Sequence, residues 1–136
     1  MPRAVGTPLE FFTKQVHLKK VCMKDVVWVG DSRERLRQFP KEVRQAIGRA
    51  LEYAQLGDKH PAAKPMRGLG TGVLQIVARH STNAYRAVYT VSIRERVYVL
   101  HCFEKKSTRG VRTPKREIDL IKQRLRRARE MEAIYV

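Results

Sequence analysis

Residues 73–104, "VLQIVARHSTNAYRAVYTVSIRERVYVLHCFE", decide the fold. β-Branched and aromatic residues fill three runs, Val73–Arg79, Ala84–Ser92 and Val97–Glu104. Only "HSTN" and "IRER" separate them, and connections that short favour antiparallel hairpins. The stretch therefore predicts a three-stranded meander. Alternation then sorts side chains by face. Leu74, Ile76 and Ala78 oppose Gln75 and Arg79, while Tyr98, Leu100 and Cys102 oppose Val97, Val99, His101, Phe103 and Lys105. The all-apolar sets are expected to meet helices. Arg86 is costly to bury, so it is assigned to the exposed set. The expected exposed face carries Gln75, Arg79, Arg86, His101 and Lys105, whereas Tyr85, Tyr89 and Phe103 are expected to pack.

Upstream, "DVVWVG" (25–30) is a compact apolar run ending in glycine, which predicts a strand buried on both faces. Asp31 and Glu34 have the spacing of a capping box for a short helix reaching about Gln38. After Pro40, the residues Val43, Ala46, Ile47, Ala50, Leu51 and Ala54 recur at intervals of three and four, the stripe of an amphipathic helix that Gly57 stops. Residues 58–72 are a Pro- and Gly-rich connection. Thr113-Pro114 opens a last helix with Ile118, Ile121, Leu125 and Ala128 on one face. The order is strand, helix, helix, three strands, helix. It predicts an α+β domain over residues 25–136, with the helices gathered on one face of a mostly antiparallel sheet and the other face open. Residues 1–24 are expected to be an N-terminal extension.

The chain has 136 residues, 43% of them apolar, enough for one domain with its own core. It lacks an apolar run of membrane-spanning length and the apolar core of a signal peptide, so a cytoplasmic protein is expected. Cys22 and Cys102 lie far apart outside any CxxC, and no His/Cys cluster has metal spacing; no metal or other cofactor is expected. The net charge is +16, from 29 basic and 13 acidic residues, which points to a polyanionic partner, nucleic acid first. The charge concentrates between the last strand and the last helix. Lys105, Lys106, Arg109, Arg112, Lys115 and Arg116 occur there without an intervening acid.

Several of these residues form motifs. Lys64-Pro65, Gly68-Leu69-Gly70, Tyr85-Arg86 with Tyr89, Phe103 with Lys105-Lys106, and Thr113-Pro114-Lys115 follow one another across residues 25–127. In this order they resemble the RelE/ParE superfamily of bacterial toxins, and within it the HigB-like, phage-derived Gp49-like branch. The resemblance implies a RelE-like fold and the toxin of a type II toxin–antitoxin pair. Many such toxins enter the ribosome and cleave messenger RNA without a metal, and an antitoxin, often with a helix-turn-helix domain, neutralises them. ParE-like members share the fold and act on DNA gyrase instead.

RNA cleavage of that kind needs a base for the 2′-hydroxyl, an acid for the leaving oxygen and positive charge against the phosphorane. The resemblance places Arg86 and Lys105 at catalytic positions. Arg86 suits phosphate stabilisation because its fork of donors stays charged. His101 is an acid–base candidate by its ordinary pKa. Arg67, Arg79, Lys106 and Lys115 are the candidate RNA-binding residues. Gln75 stands where RNA-cleaving relatives often carry a charged group. The expected function is a ribosome-dependent mRNA endonuclease. Its rivals are a ParE-like gyrase poison and a basic RNA-binding module without chemistry, which would lose affinity gradually as charges are removed.

Overall fold

The computed structural model describes residues 23–105 and 113–135. In chain order the elements are β1 (Asp25–Trp28), α1 (Ser32–Arg37), α2 (Lys41–Gln55), β2 (Ala63–Pro65), β3 (Val73–His80), β4 (Asn83–Thr90), β5 (Arg96–Lys105) and α3 (Lys115–Tyr135). The sheet has five strands in the order β1-β5-β4-β3-β2. β1 runs parallel to β5, and the other three pairings are antiparallel, so the sheet is mixed. The expected meander is its centre. The β3–β4 hairpin closes on a two-residue turn between His80 and Asn83, with Ser81 at φ 56°. The Pro- and Gly-rich connection contributes an additional short edge strand, β2.

Helices cover both faces, which corrects the expectation of one open face. On one side Val43, Ile47, Ala50, Leu51 and Ala54 of α2 pack against Leu74, Ile76, Tyr85, Ala87, Tyr89, Val97, Val99 and Cys102. On the other side Ile121, Leu125 and Ala128 of α3 pack with Val88, Tyr98, Leu100 and Phe103. The apolar stripe of the last helix is the predicted one; it belongs to a second core. β1 feeds both layers, with Val26 and Trp28 toward the first and Val27 and Val29 toward the second. That is why "DVVWVG" is continuously apolar.

A bulge on β5 decides which residues meet α3. Val88 pairs with His101, but Tyr89 pairs with Val99, which leaves Leu100 as the extra residue. Strict alternation therefore breaks between Leu100 and His101. Tyr98 and Leu100 lie on the α3 side together with His101 and Phe103, while Cys102 lies with Val97 and Val99 on the α2 side. The predicted face sets of this strand are corrected accordingly.

Buried polar contacts fasten α3 to the sheet at three points. Near its start, Glu117 Oε1 lies 3.1 Å from His101 Nε2. In its middle, Arg124 donates to the Leu100 carbonyl at 3.0 Å and to Asp31 Oδ1 at 2.6 Å. Near its end, Glu132 accepts from the Tyr98 hydroxyl at 2.7 Å and from Arg96 Nη1 at 2.9 Å. Asp31 stands at the N-cap position of α1 but makes no side-chain cap bond, so the predicted capping box does not form. Its carboxylate serves Arg124 and Arg35 instead, and those guanidiniums hold its pKa down to about 2. Gly30, with φ 59°, leaves room for the Arg124 guanidinium. A Cβ there would come within 2.7 Å of it.

Candidate functional site

Cross-strand partners share a face. One row across the sheet is Val77–Arg86–Phe103, and the next, toward the β3–β4 hairpin, is Arg79–Ala84–Lys105. The small Ala84 thus separates two cations, and Arg86 lies two residues along β4 from it. Three positive side chains from three neighbouring strands converge on one end of the sheet. On the other side of Arg86 is the row Lys64–Gln75–Val88–His101.

Arg86 faces the side expected of it but is not exposed; only 8% of its surface is accessible. Its Nη1 donates to Gln75 Oε1 at 3.0 Å, and its buried Nε has no hydrogen-bond partner among the described residues. Burial, and then the charge of Arg79, push its pKa below the ordinary value. Lys105 is half-buried, and its pKa is lowered first by desolvation and then by the charge of Arg86. The guanidinium of Arg86 and the ammonium of Lys105 thus stand close enough for like charge to act between them, which is the electrostatic character of this end of the sheet. Gln75 acquires a definite part: a neutral acceptor fixes one edge of the guanidinium without cancelling its charge. A carboxylate there would cancel it.

His101 is corrected. Its side chain is fully buried, stacked on Phe103 with ring centroids 5.0 Å apart. Arg124 Nη1 lies 3.2 Å from Nδ1, and because arginine can only donate, Nδ1 is the acceptor and Nε2–H faces Glu117. Desolvation is the largest influence on this ring and keeps its pKa below 6.5 despite Glu117. His101 thus joins β5 to α3 and does not reach the surface. His101 keeps the face expected of it, but α3 covers that face with Glu117 and Arg124, which alternation along the strand alone could not reveal.

The remaining candidates are spread around this centre. Arg79 is exposed beside Arg86; Arg67 is exposed in the loop between β2 and β3, anchored there by the buried Met66 and Leu69. Lys115 is exposed at the start of α3. Lys106, with Arg109 and Arg112, lies outside the described residues. Lys64, exposed on β2 opposite Gln75, joins the same face. In the sequence it stands out only as part of a motif, because the three-residue β2 is too short to show a period. Tyr85, Tyr89 and Phe103 are buried as expected. Among the described residues no group of three or more His, Cys, Asp or Glu could hold a metal ion, and no helix is long and apolar enough to cross a membrane.

A mixed sheet between helices, with a cluster of arginine and lysine at one end, is an α+β arrangement compatible with a small toxin of the RelE/ParE type. The comparison with protein families agrees: residues 34–126 match the profile of the phage-derived protein Gp49-like family (DUF891), and the chain belongs to that family, within the RelE/ParE-like toxin superfamily. No curated protein matches the chain. The protein is therefore toxin-like, and its family implies an antitoxin partner in general.

Proposed function

We propose that the protein is the toxin of a type II toxin–antitoxin pair and cleaves messenger RNA on the ribosome, without a metal. The observation that carries this reading is the buried Arg86, whose Nε lacks a partner and which is flanked by Arg79 and Lys105. In the reaction, the 2′-oxygen of the RNA attacks the adjacent phosphorus. Its proton passes to a base, the bond from phosphorus to the 5′-oxygen breaks, and that oxygen takes a proton. The products are a 2′,3′-cyclic phosphate and a 5′-hydroxyl. DNA lacks the nucleophile, so the chemistry selects RNA.

Arg86 holds the phosphate and offsets the charge of the phosphorane, with Gln75 fixing its orientation. Lys105, whose pKa is already lowered, supplies charge and stands closest in chemistry to the donor for the leaving oxygen. Arg79, Arg67, Lys106 and Lys115 hold neighbouring phosphates. His101 acts as scaffold under Phe103. The neutralising partner is an antitoxin that covers the basic cluster.

Mapping 5′ ends on a reporter mRNA in cells tests the reading. Induced wild type should arrest growth and create new ends only on translated RNA, whereas Arg86→Ala should create none. Arrest without new ends would refute cleavage and favour a gyrase target or simple RNA binding.

A further inference from the structure

α3 presents to solvent a basic surface that begins at Lys115, which the proposed cleavage site also uses, and continues along the helix beyond it. At about 100° per residue, Lys115, Lys122, Arg126 and Arg129 fall within an arc of about 60°. All four are exposed, while Ile121, Leu125 and Ala128, centred about 100° away round the helix, are buried on the sheet. The stripe runs for about 21 Å along the helix axis. Among the described residues it connects back to the site: Phe103, the cross-strand neighbour of Arg86, lines one groove together with Arg116, Gln123 and Arg126.

We infer that this stripe of α3 is a docking rail for the backbone of double-helical RNA, leading away from the site that cuts along Lys122, Arg126 and Arg129. The inference deepens the proposed function, since it names a second contact with an RNA partner. The chemistry of the stripe selects the occupant. Protein interfaces have an apolar, charge-depleted centre, but this stripe contains only charged residues. A membrane-binding helix needs its apolar side free, and here that side is in the core. Single-stranded RNA is gripped by stacking bases on aromatic rings, and the stripe has none. A row of cations with nothing to stack on suits phosphates already held at regular spacing by a duplex. Asp119 lies beside the row and is exposed. It would repel a purely phosphate surface but can accept a hydrogen bond from a 2′-hydroxyl, which favours RNA over DNA.

The test uses the full chain and a fully paired RNA hairpin, read by fluorescence anisotropy over a series of salt concentrations, so no cleavage is involved. Each phosphate contact on a duplex contributes about 0.9 to the slope of log K against log salt. The triple variant Lys122→Gln/Arg126→Gln/Arg129→Gln should therefore lower that slope by about 2 to 3. A charge-matched control, Arg33→Gln/Arg44→Gln/Arg49→Gln on the exposed sides of α1 and α2, should leave it within about 0.5 of wild type. Arg126→Lys/Arg129→Lys, which keeps the charge, should also keep the slope, and it guards against a folding artefact. Equal losses in the rail and control variants would overturn the rail. So would hairpin binding no tighter for RNA than for DNA of the same sequence, or binding to anionic vesicles in place of RNA. The cleavage reading would stand or fall separately, because a rail that binds is indifferent to whether Arg86 cuts.

Discussion

Arg86→Met should make the protein more stable while abolishing its proposed activity. Arg86 is 8% exposed, its Nε has no partner among the described residues, and Arg79 and Lys105 flank it. A buried donor left unpaired costs about 1–3 kcal/mol, and methionine fills the space without a polar atom. The substitution also removes the hydrogen bond to Gln75, a loss of about 0.5–1.5 kcal/mol. Gln75 is only half-buried, so water can take over part of that bond. The net gain is about 1 kcal/mol, which in a domain of this size raises Tm by about 3–5 °C. Thermal and urea denaturation of purified wild type and Arg86→Met, free of nucleic acid, measure it. Added inorganic phosphate should raise the Tm of the wild type and leave that of the variant nearly unmoved, because only the wild type keeps the ligand. If Arg86→Met is instead destabilised by more than about 1 kcal/mol, Arg86 is a structural residue and the argument for an anion site at its guanidinium fails.

Other consequences concern the groups around it. The His101 ring titrates below 6.5 in the folded chain, so below 6.5 the unfolded state binds more protons, and stability should fall as the pH drops toward the folded pKa. NMR titration of the imidazole against urea midpoints checks the sign; a ring titrating above 6.5 would contradict it. Gln75→Glu should place a carboxylate on Arg86 Nη1 and weaken RNA binding and cleavage more than Gln75→Ala does, as measured by hairpin affinity and reporter cleavage. Burial pushes the Cys102 thiol up to about 12, so in a Cys22→Ser background it should react with a thiol reagent only under denaturant. Glu132→Ala, which removes the carboxylate that accepts from the Tyr98 hydroxyl and from Arg96, should lower Tm, whereas Glu130→Ala, at an exposed position two residues earlier on the same helix, should not.

The elements were legible because local periodicity encodes them. The two-residue hairpin after His80, the stripe of α2 and the apolar face of α3 all follow from residue spacing. The side of the sheet that α3 covers was not legible. An amphipathic helix records that it has a core, not which one, and only the two-sided apolarity of β1 hinted at a second layer. Nor was the bulge at Leu100, since one inserted residue looks the same in sequence as regular alternation; it exchanged the expected sides of Val97, Tyr98, Val99 and Leu100 and left His101 and Cys102 on theirs. Arg86 was placed on the correct side of β4 by the cost of burying it, yet it is buried. Burial rules describe the average residue, and the proposed anion-holding site at Arg86 is the kind of site at which local rules are broken. Lys64 was visible in the sequence as part of a motif but not as a member of this face, because a three-residue strand ending in proline has no period.

The central claim is that RNA is cut by its own 2′-hydroxyl at a phosphate held by Arg86. The most direct measurement is cleavage of an mRNA on purified ribosomes, with a single 2′-deoxy substitution at the mapped cut position. The account predicts that wild type cuts the all-RNA message to a 2′,3′-cyclic phosphate, spares the 2′-deoxy message at that position, and loses both cut and product when Arg86 is methionine. Equal cutting of the two messages, or undiminished cutting by Arg86→Met, would contradict it.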